Sequence, residues 1–178
     1  VSVMAAAKKN INRDSVFTRP AVVDFILDLV GYTEDKPLWM HTVLEPSFGG
    51  GEFLQAIIRR LLGAWRAQHG TRKHPDVSMF AHAIRAVELH QETFSTTRRS
   101  VMETLLEEGF SDAEARVLAD HWLEQGDFLL KPFEDSFDYV VGNPPYVRQE
   151  LIPTALQREY RARFSTFYDR ADLYVLFI

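Results

Sequence analysis

"WMHTVLEPSFGGGEFLQAIIRRLLGAWRAQ", residues 39–68, joins three kinds of local order. Residues 39–46 read as a short buried strand and 47–51 as a glycine-rich loop. Residues 52–68 read as an amphipathic helix, with Phe53, Leu54, Ile57, Ile58, Leu61 and Leu62 at helical spacing. A strand, a tight turn and a helix begin a βαβ unit, so the remaining chain should supply parallel strands alternating with helices.

The flanking sequence continues that alternation. "FTRPAVVDFILDLVGY" (17–32) reads as a helix with Thr18 as N-cap, Pro20 in the first turn and Gly31 at the end. Val22, Phe25, Ile26 and Leu29 form its expected apolar face. A second strand is expected over 83–89, a third over "DFLL" (127–130) and a fourth over "FDYVVGN" (137–143). Two helices, 91–109 and 111–126, separate the second and third strands, and Ser111 with Glu114 has capping-box spacing. This helical stretch is longer than a minimal unit needs and reads as a packing or partner-contact insert. A charged helix should follow Pro153, and "DLYVLFI" lies at 172–178. The expected fold is α/β, a mostly parallel Rossmann-like sheet with helices on both faces. Such sheets bind ligands at the carboxyl ends of their strands, which directs attention to 45–53, 88, 127–128 and 143–146.

Composition narrows the chemistry. Hydrophobic residues make up 46% of the 178 and charged residues 25%, enough for a core and unlike a disordered chain. With no cysteine, disulfides, thiolate metal sites and thiol nucleophiles are excluded. The histidines show no ligand spacing, so no metal is expected. No run of about 18 apolar residues suggests a membrane span, and the start lacks the apolar core of a signal peptide. The expectation is a soluble protein of the cell interior. Net charge is −5, but it is segregated. Arg59, Arg60, Arg66, Arg72 and Lys73 cluster in 55–75 without an acid, and Arg148, Arg158, Arg161, Arg163 and Arg170 cluster in 147–170. Either cluster reads as a solvated helix face or as a phosphate-binding surface. Glu134, Asp135 and Asp138 read as a solvated turn.

In "EPSFGGGEF" (45–53) an acid ends the strand and three glycines precede the helix. Glycine permits close backbone approach to a ligand and positive φ, and the helix start presents free N–H groups. The spacing is neither the dinucleotide fingerprint nor a Walker loop, and an acid before the turn suits a ligand with a cationic end. A simple strand-to-helix turn is the alternative. Glu88 ends the second strand, where an acid accepts ribose hydroxyls or is merely solvated. Asp127 offers an acceptor for an adenine amine, with Phe128 as a stacking ring or a core residue.

Asn143-Pro144-Pro145-Tyr146 is the most specific piece. The prolines fix φ and remove N–H donors, which leaves the Pro144 carbonyl rigidly aimed. The Asn143 amide adds a carbonyl acceptor. Two acceptors on a stiff frame beside an aromatic ring fit a planar group bearing –NH₂.

These motifs together resemble the amino-group, adenine-modifying DNA methyltransferases of restriction–modification systems. "FTRP" (17–20) resembles the segment ahead of the cofactor loop in one circular arrangement of that family. "EPSFGGGEFL" resembles its loop Asp-Pro-x-x-Gly-x-Gly-x-Phe, with Glu45 in place of Asp and matches at Pro46, Gly49, Gly51 and Phe53. Glu88 and Asp127-Phe128 match the ribose and adenine positions, "GNPPYVR" the catalytic loop, and "DLYVLFI" the start of the helix after it. The resemblance implies S-adenosylmethionine as cofactor and the exocyclic amine of adenine in double-stranded DNA as acceptor. It also implies direct methyl transfer to a flipped-out base stacked on Tyr146, with Thr18 helping to hold the methionine end. The cytoplasm of a bacterial or archaeal cell is the implied location.

The family pattern continues past residue 178. Residues 1–178 are therefore expected to form a partial catalytic domain, incomplete at the C-terminus and weakened or inactive alone. Within it, 1–36 is a helical lead-in and 37–178 the cofactor and catalytic part. A target-recognition region and any associated nuclease would lie outside the chain. Two alternatives stay open: a methyltransferase for an RNA base or a protein glutamine amide, and a cofactor-binding module without chemistry. Arg148 and the segment 17–32 favour DNA.

Overall fold

β1 (Val43–Glu45) lies inside a parallel sheet with β2 (Ile84–Glu88), β3 (Leu123–Gln125) and β4 (Tyr139–Val140), in the order β3-β2-β1-β4. The computed structural model describes residues 18–70, 75–131, 136–168 and 171–177. From β1 the chain steps to β2 and β3 on one side, then crosses back to place β4 on the other side of β1. The strand order therefore reverses at β1, and a crevice is expected beyond the carboxyl ends of β1 and β4.

The helices are α1 (Pro20–Leu29), α2 (Glu52–His69), α3 (Val77–Phe80), α4 (Gln91–Glu107), α5 (Asp112–Trp122) and α6 (Thr154–Arg163). All three residues of β1 are buried, so both faces of the central strand are covered. One core joins α1 through α5 to Val43, Ile84, Ala86 and Leu123, and it includes all six apolar residues expected on α2. A second cluster of Leu129, Val147, Ile152, Leu156, Tyr160 and Leu173 packs α6 against the segment after the Asn-Pro-Pro-Tyr loop. Ser111 and Glu114 form the expected capping box, and the expected insert is a packing element, burying Val101, Leu105, Leu118 and Trp122.

Local structure departs from expectation in four places. The stretch 39–46 is strand only over 43–45, because Leu38–Met40 forms a 3₁₀ turn that sets Trp39 edge-on against Trp65. The fourth strand shortens to Tyr139–Val140. The third strand is 123–125: α5 runs directly into it, and "DFLL" is a 3₁₀ turn over Phe128–Leu130. There the Asp127 carboxylate accepts the Leu129 N–H at 3.1 Å, a local bond that competes with a strand ladder. Asp127 thus sits past the strand rather than at its start. Finally, α1 begins at Pro20 with Arg19 at the N-cap and no side-chain cap, so Thr18 does not cap it. The helix buries Val23 and Leu27, while Val22, Phe25 and Leu29 stay exposed. Contact with α2 selects the 23/27 stripe, and Phe17 lies outside the described residues.

The basic residues of 55–75 divide. Arg60 pairs with Asp24 and Asp28 and donates to the carbonyls of Asp24 and Tyr32, stapling α1 to α2. Arg66 pairs with Glu108. Arg72, Lys73, Arg170, Glu134 and Asp135 lie outside the described residues. Asp138 is bound at Thr42, accepting its N–H at 2.7 Å and its hydroxyl at 3.1 Å, which ties the approach to β4 to that of β1. Among the described residues no helix is long and apolar enough to cross a membrane, and no group of three His, Asp or Glu could hold a metal.

Candidate active site

The crevice at the carboxyl ends is a cleft of about 690 Å³. Glu45, Pro46, Gly49 and Phe53 line it from β1 and its loop, Glu88 from β2, and Asp127 and Phe128 from beyond β3. Asn143, Pro144, Pro145 and Tyr146 line it from beyond β4, and Thr18 from the approach to α1. Of the expected site residues only Gly51 is outside the lining, and its role there is to shape the loop. It holds φ at +87°, and a Cβ added to it would meet Thr97 Cγ2 at 2.6 Å. Only glycine suits a position that combines left-handed backbone with so close an approach.

Glu88 is 3% exposed rather than a solvated strand-end acid. Its Oε2 accepts the Gly49 N–H at 2.9 Å and its Oε1 the His90 N–H at 2.7 Å. The carboxylate is thereby fixed in plane and still has lone pairs for hydroxyl donors. Thr97 braces the same loop from α4, its hydroxyl donating to the Gly49 carbonyl at 2.8 Å.

Glu45 is 2% exposed and its Oε2 has no hydrogen-bond partner. Burial, with the nearby acids Glu52 and Glu88, holds its pKa well above the usual carboxylate range. A buried acceptor left unsatisfied on a ligand-sized cleft fits the cationic end of a small ligand. The group has a pH signature. Its folded-state pKa exceeds its unfolded value, so the folded chain holds the proton more tightly, and the associated stability is largest in acid. The unliganded chain should therefore lose melting temperature as pH rises from about 4.5 toward the folded-state value. Glu45→Gln should flatten that slope, and an unchanged slope would disprove the assignment. A cationic ligand binds the ionised form, so its affinity should rise over the same window.

Asp127 accepts a second bond, from the Tyr160 hydroxyl at 3.0 Å to Oδ2. Phe128 is half-buried and its ring stacks on that of Phe177, 5.7 Å between centroids. Asn143 donates from Nδ2 to Thr18 Oγ1 at 3.1 Å, which sets the orientation of the amide. Tyr146 is 53% exposed, with its ring 5.8 Å from that of Tyr174.

Sequence reasoning missed one wall. Thr93, Thr96, Thr97 and Ser100 of α4 all face the cleft. Their i, i+3, i+4, i+7 spacing was a readable signal of a single helix face. Tyr160 carried no such signal, as it lies 33 residues from Asp127 in a charged stretch.

Residues 37–178 match the family described as Eco57I restriction-modification methylase. The chain is 60% identical over 168 residues to the Type II methyltransferase M.PaeR7I of Pseudomonas aeruginosa, covering 93% of this chain and 29% of that protein. It is 51% identical over 165 residues to the Type II methyltransferase M.XhoI of Xanthomonas vasicola, covering 93% and 30%. It is 45% identical over 168 residues to the Type II methyltransferase M.BstVI of Geobacillus stearothermophilus, covering 92% and 30%. The chain thus spans 29–30% of the length of these curated relatives.

Proposed function

This chain belongs to the Eco57I restriction-modification methylase family, and from that premise we propose that it carries the cofactor and catalytic part of a DNA adenine methyltransferase. The reaction is transfer of a methyl group from S-adenosylmethionine to the exocyclic amine of adenine in double-stranded DNA. Its parallel sheet with flanking helices is of the class I methyltransferase kind. One observation carries the reading: a single cleft brings the Asn-Pro-Pro-Tyr acceptor frame to face the acids Glu45, Glu88 and Asp127.

When bound, the cofactor supplies an activated methyl group on a sulfonium. Glu45 faces its cationic end as a carboxylate. Glu88 accepts ribose hydroxyls, and Asp127 with Phe128 holds the adenine edge and face. Asn143 and the Pro144 carbonyl accept the two protons of the target amine. The nitrogen lone pair, otherwise delocalised into the ring, is then directed toward the methyl donor. Tyr146, with its ring half in solvent, stacks on the flipped base. No thiol is needed, because the amine attacks directly. Arg148, Arg158 and Arg161 are exposed on the segment that follows the loop, and they suit duplex phosphates. DNA sequence recognition, a specificity region and any associated nuclease belong, on this reading, to sequence beyond the part matched here.

The test is transfer of a tritiated methyl group by the full-length protein, with duplex DNA, RNA and protein offered separately. The expected result is label in DNA, recovered as N6-methyladenine after digestion. Label confined to RNA or to protein would reject the DNA reading and support the amide or RNA alternative. Absence of label on any acceptor, with cofactor binding intact, would leave a binding module without chemistry.

A further inference from the structure

We infer that Tyr160 is a positioning residue that acts through Asp127 to make the cleft selective for a 6-amino purine over a 6-oxo purine. This rests on the cleft being a site for S-adenosylmethionine.

Tyr160 lies on α6, after the acceptor loop, yet its hydroxyl reaches back to the opposite end of the cleft. It donates to Asp127 Oδ2 at 3.0 Å while Oδ1 accepts the Leu129 N–H at 3.1 Å. Two donors at the two oxygens lock the carboxylate plane, and a hydrogen bond to an ionised acceptor is stronger than a neutral one. Tyr160 is 3% exposed, with its ring edge-on to Phe167, 5.9 Å between centroids. Burial, and then the charge of Asp127, raises its pKa, so the hydroxyl stays a donor across the working pH range. The helix is itself held in place. Arg163 donates to the Leu130 carbonyl at 2.9 Å, and Gln157 donates to the carbonyls of Gln149 and Ile152 at 3.0 and 2.8 Å. The Tyr160 ring is therefore a fixed strut.

The chemical consequence is directional. A carboxylate fixed in this way presents its remaining lone pairs in one direction. An –NH₂ at the purine 6-position meets an acceptor there, whereas a 6-oxo group meets a second acceptor and is repelled. Without the hydroxyl, Asp127 keeps only the Leu129 bond and turns to accommodate either group.

The test compares S-adenosylhomocysteine with its 6-oxo analogue, S-inosylhomocysteine, by calorimetry on the full-length protein. The unmodified protein should prefer the amino form at least about tenfold, the equivalent of one well-made hydrogen bond. Tyr160→Phe should weaken the amino form about five- to tenfold and the 6-oxo form less than about twofold, so that the preference nearly vanishes. In an Asp127→Ala background the same substitution should change neither affinity. 4-Aminophenylalanine at position 160 restores an N–H donor and should keep the preference, which also carries the test if the Phe variant fails to fold. Equal weakening of both ligands by Tyr160→Phe, loss of the preference with 4-aminophenylalanine, or an unchanged preference would overturn the inference, leaving a residue that only packs. If the unmodified protein binds neither ligand, the cofactor reading fails and this inference fails with it.

Discussion

Asn143→Ala is expected to slow methyl transfer by about two to three orders of magnitude while leaving cofactor affinity within about threefold, the pattern for losing a preorganised polar group that acts on the reacting atom. Asn143 follows β4, beyond Val141, whose N–H continues the ladder to the Leu44 carbonyl. It reaches into the cleft beside two prolines that cannot rotate about φ. Its amide is oriented by donation to Thr18 Oγ1 at 3.1 Å. Alanine removes the side-chain acceptor and leaves the Pro144 carbonyl as the remaining acceptor of the pair. The four acidic and aromatic cofactor contacts proposed at 45, 88, 127 and 128 are untouched, so binding should survive. Thr18→Val removes only the orienting hydroxyl and should cost less, about tenfold in rate. Single-turnover methylation of a duplex, with cofactor calorimetry alongside, separates the outcomes. An Asn143→Ala protein with normal turnover, or one whose defect is confined to cofactor binding, would contradict the assignment.

Glu88→Ala should weaken cofactor binding by about a hundredfold or more, as expected for removing a hydrogen-bonded carboxylate at a ligand. It should also lower stability by about 1–3 kcal/mol, since two half-buried backbone donors lose their acceptor. Glu88 serves the protein before any ligand arrives. Its two oxygens hold the Gly49 and His90 N–H groups at 2.9 and 2.7 Å, joining the glycine loop to the end of β2. Glu88→Gln distinguishes the two duties. Its single carbonyl oxygen satisfies one N–H, and its amide turns a donor toward the other. The loop should loosen, with an intermediate loss of melting temperature and most of the loss of binding. Thermal melts and calorimetry on the two variants measure this. Unchanged stability in Glu88→Ala would show that the loop does not depend on the acid.

The segments that line the cleft at 45–53 and 143–146 were legible because each is a short, contiguous word. Glu45 to Phe53 has acid, glycines and helix start within nine residues, and Asn143 to Tyr146 is four. Their constraints are local: a φ that only glycine tolerates at Gly51, and a φ that proline imposes at 144 and 145. The Ser111–Glu114 capping box was legible for the same reason. Glu88 was weaker, because a strand-end acid is the same letter whether it is solvated or buried. Its burial comes from the glycine loop folding over it.

Local patterning in the chain specified an alternating α/β order, the glycine loop and a stiff acceptor frame, since propensity, periodicity and capping act over a few residues. It left undetermined which apolar stripe of α1 is buried, where the third strand lies and what Thr18 and Tyr160 touch. Those depend on partners 28 to 125 residues away. The 23/27 stripe is chosen by the surface of α2, and the strand at 123–125 by its register with β2. Thr18 and Asn143, and Tyr160 and Asp127, meet only once strand order β3-β2-β1-β4 brings the carboxyl ends to one crevice. Packing decides these contacts because a side chain's partner is a property of the assembled surface, and no short window of sequence contains that surface.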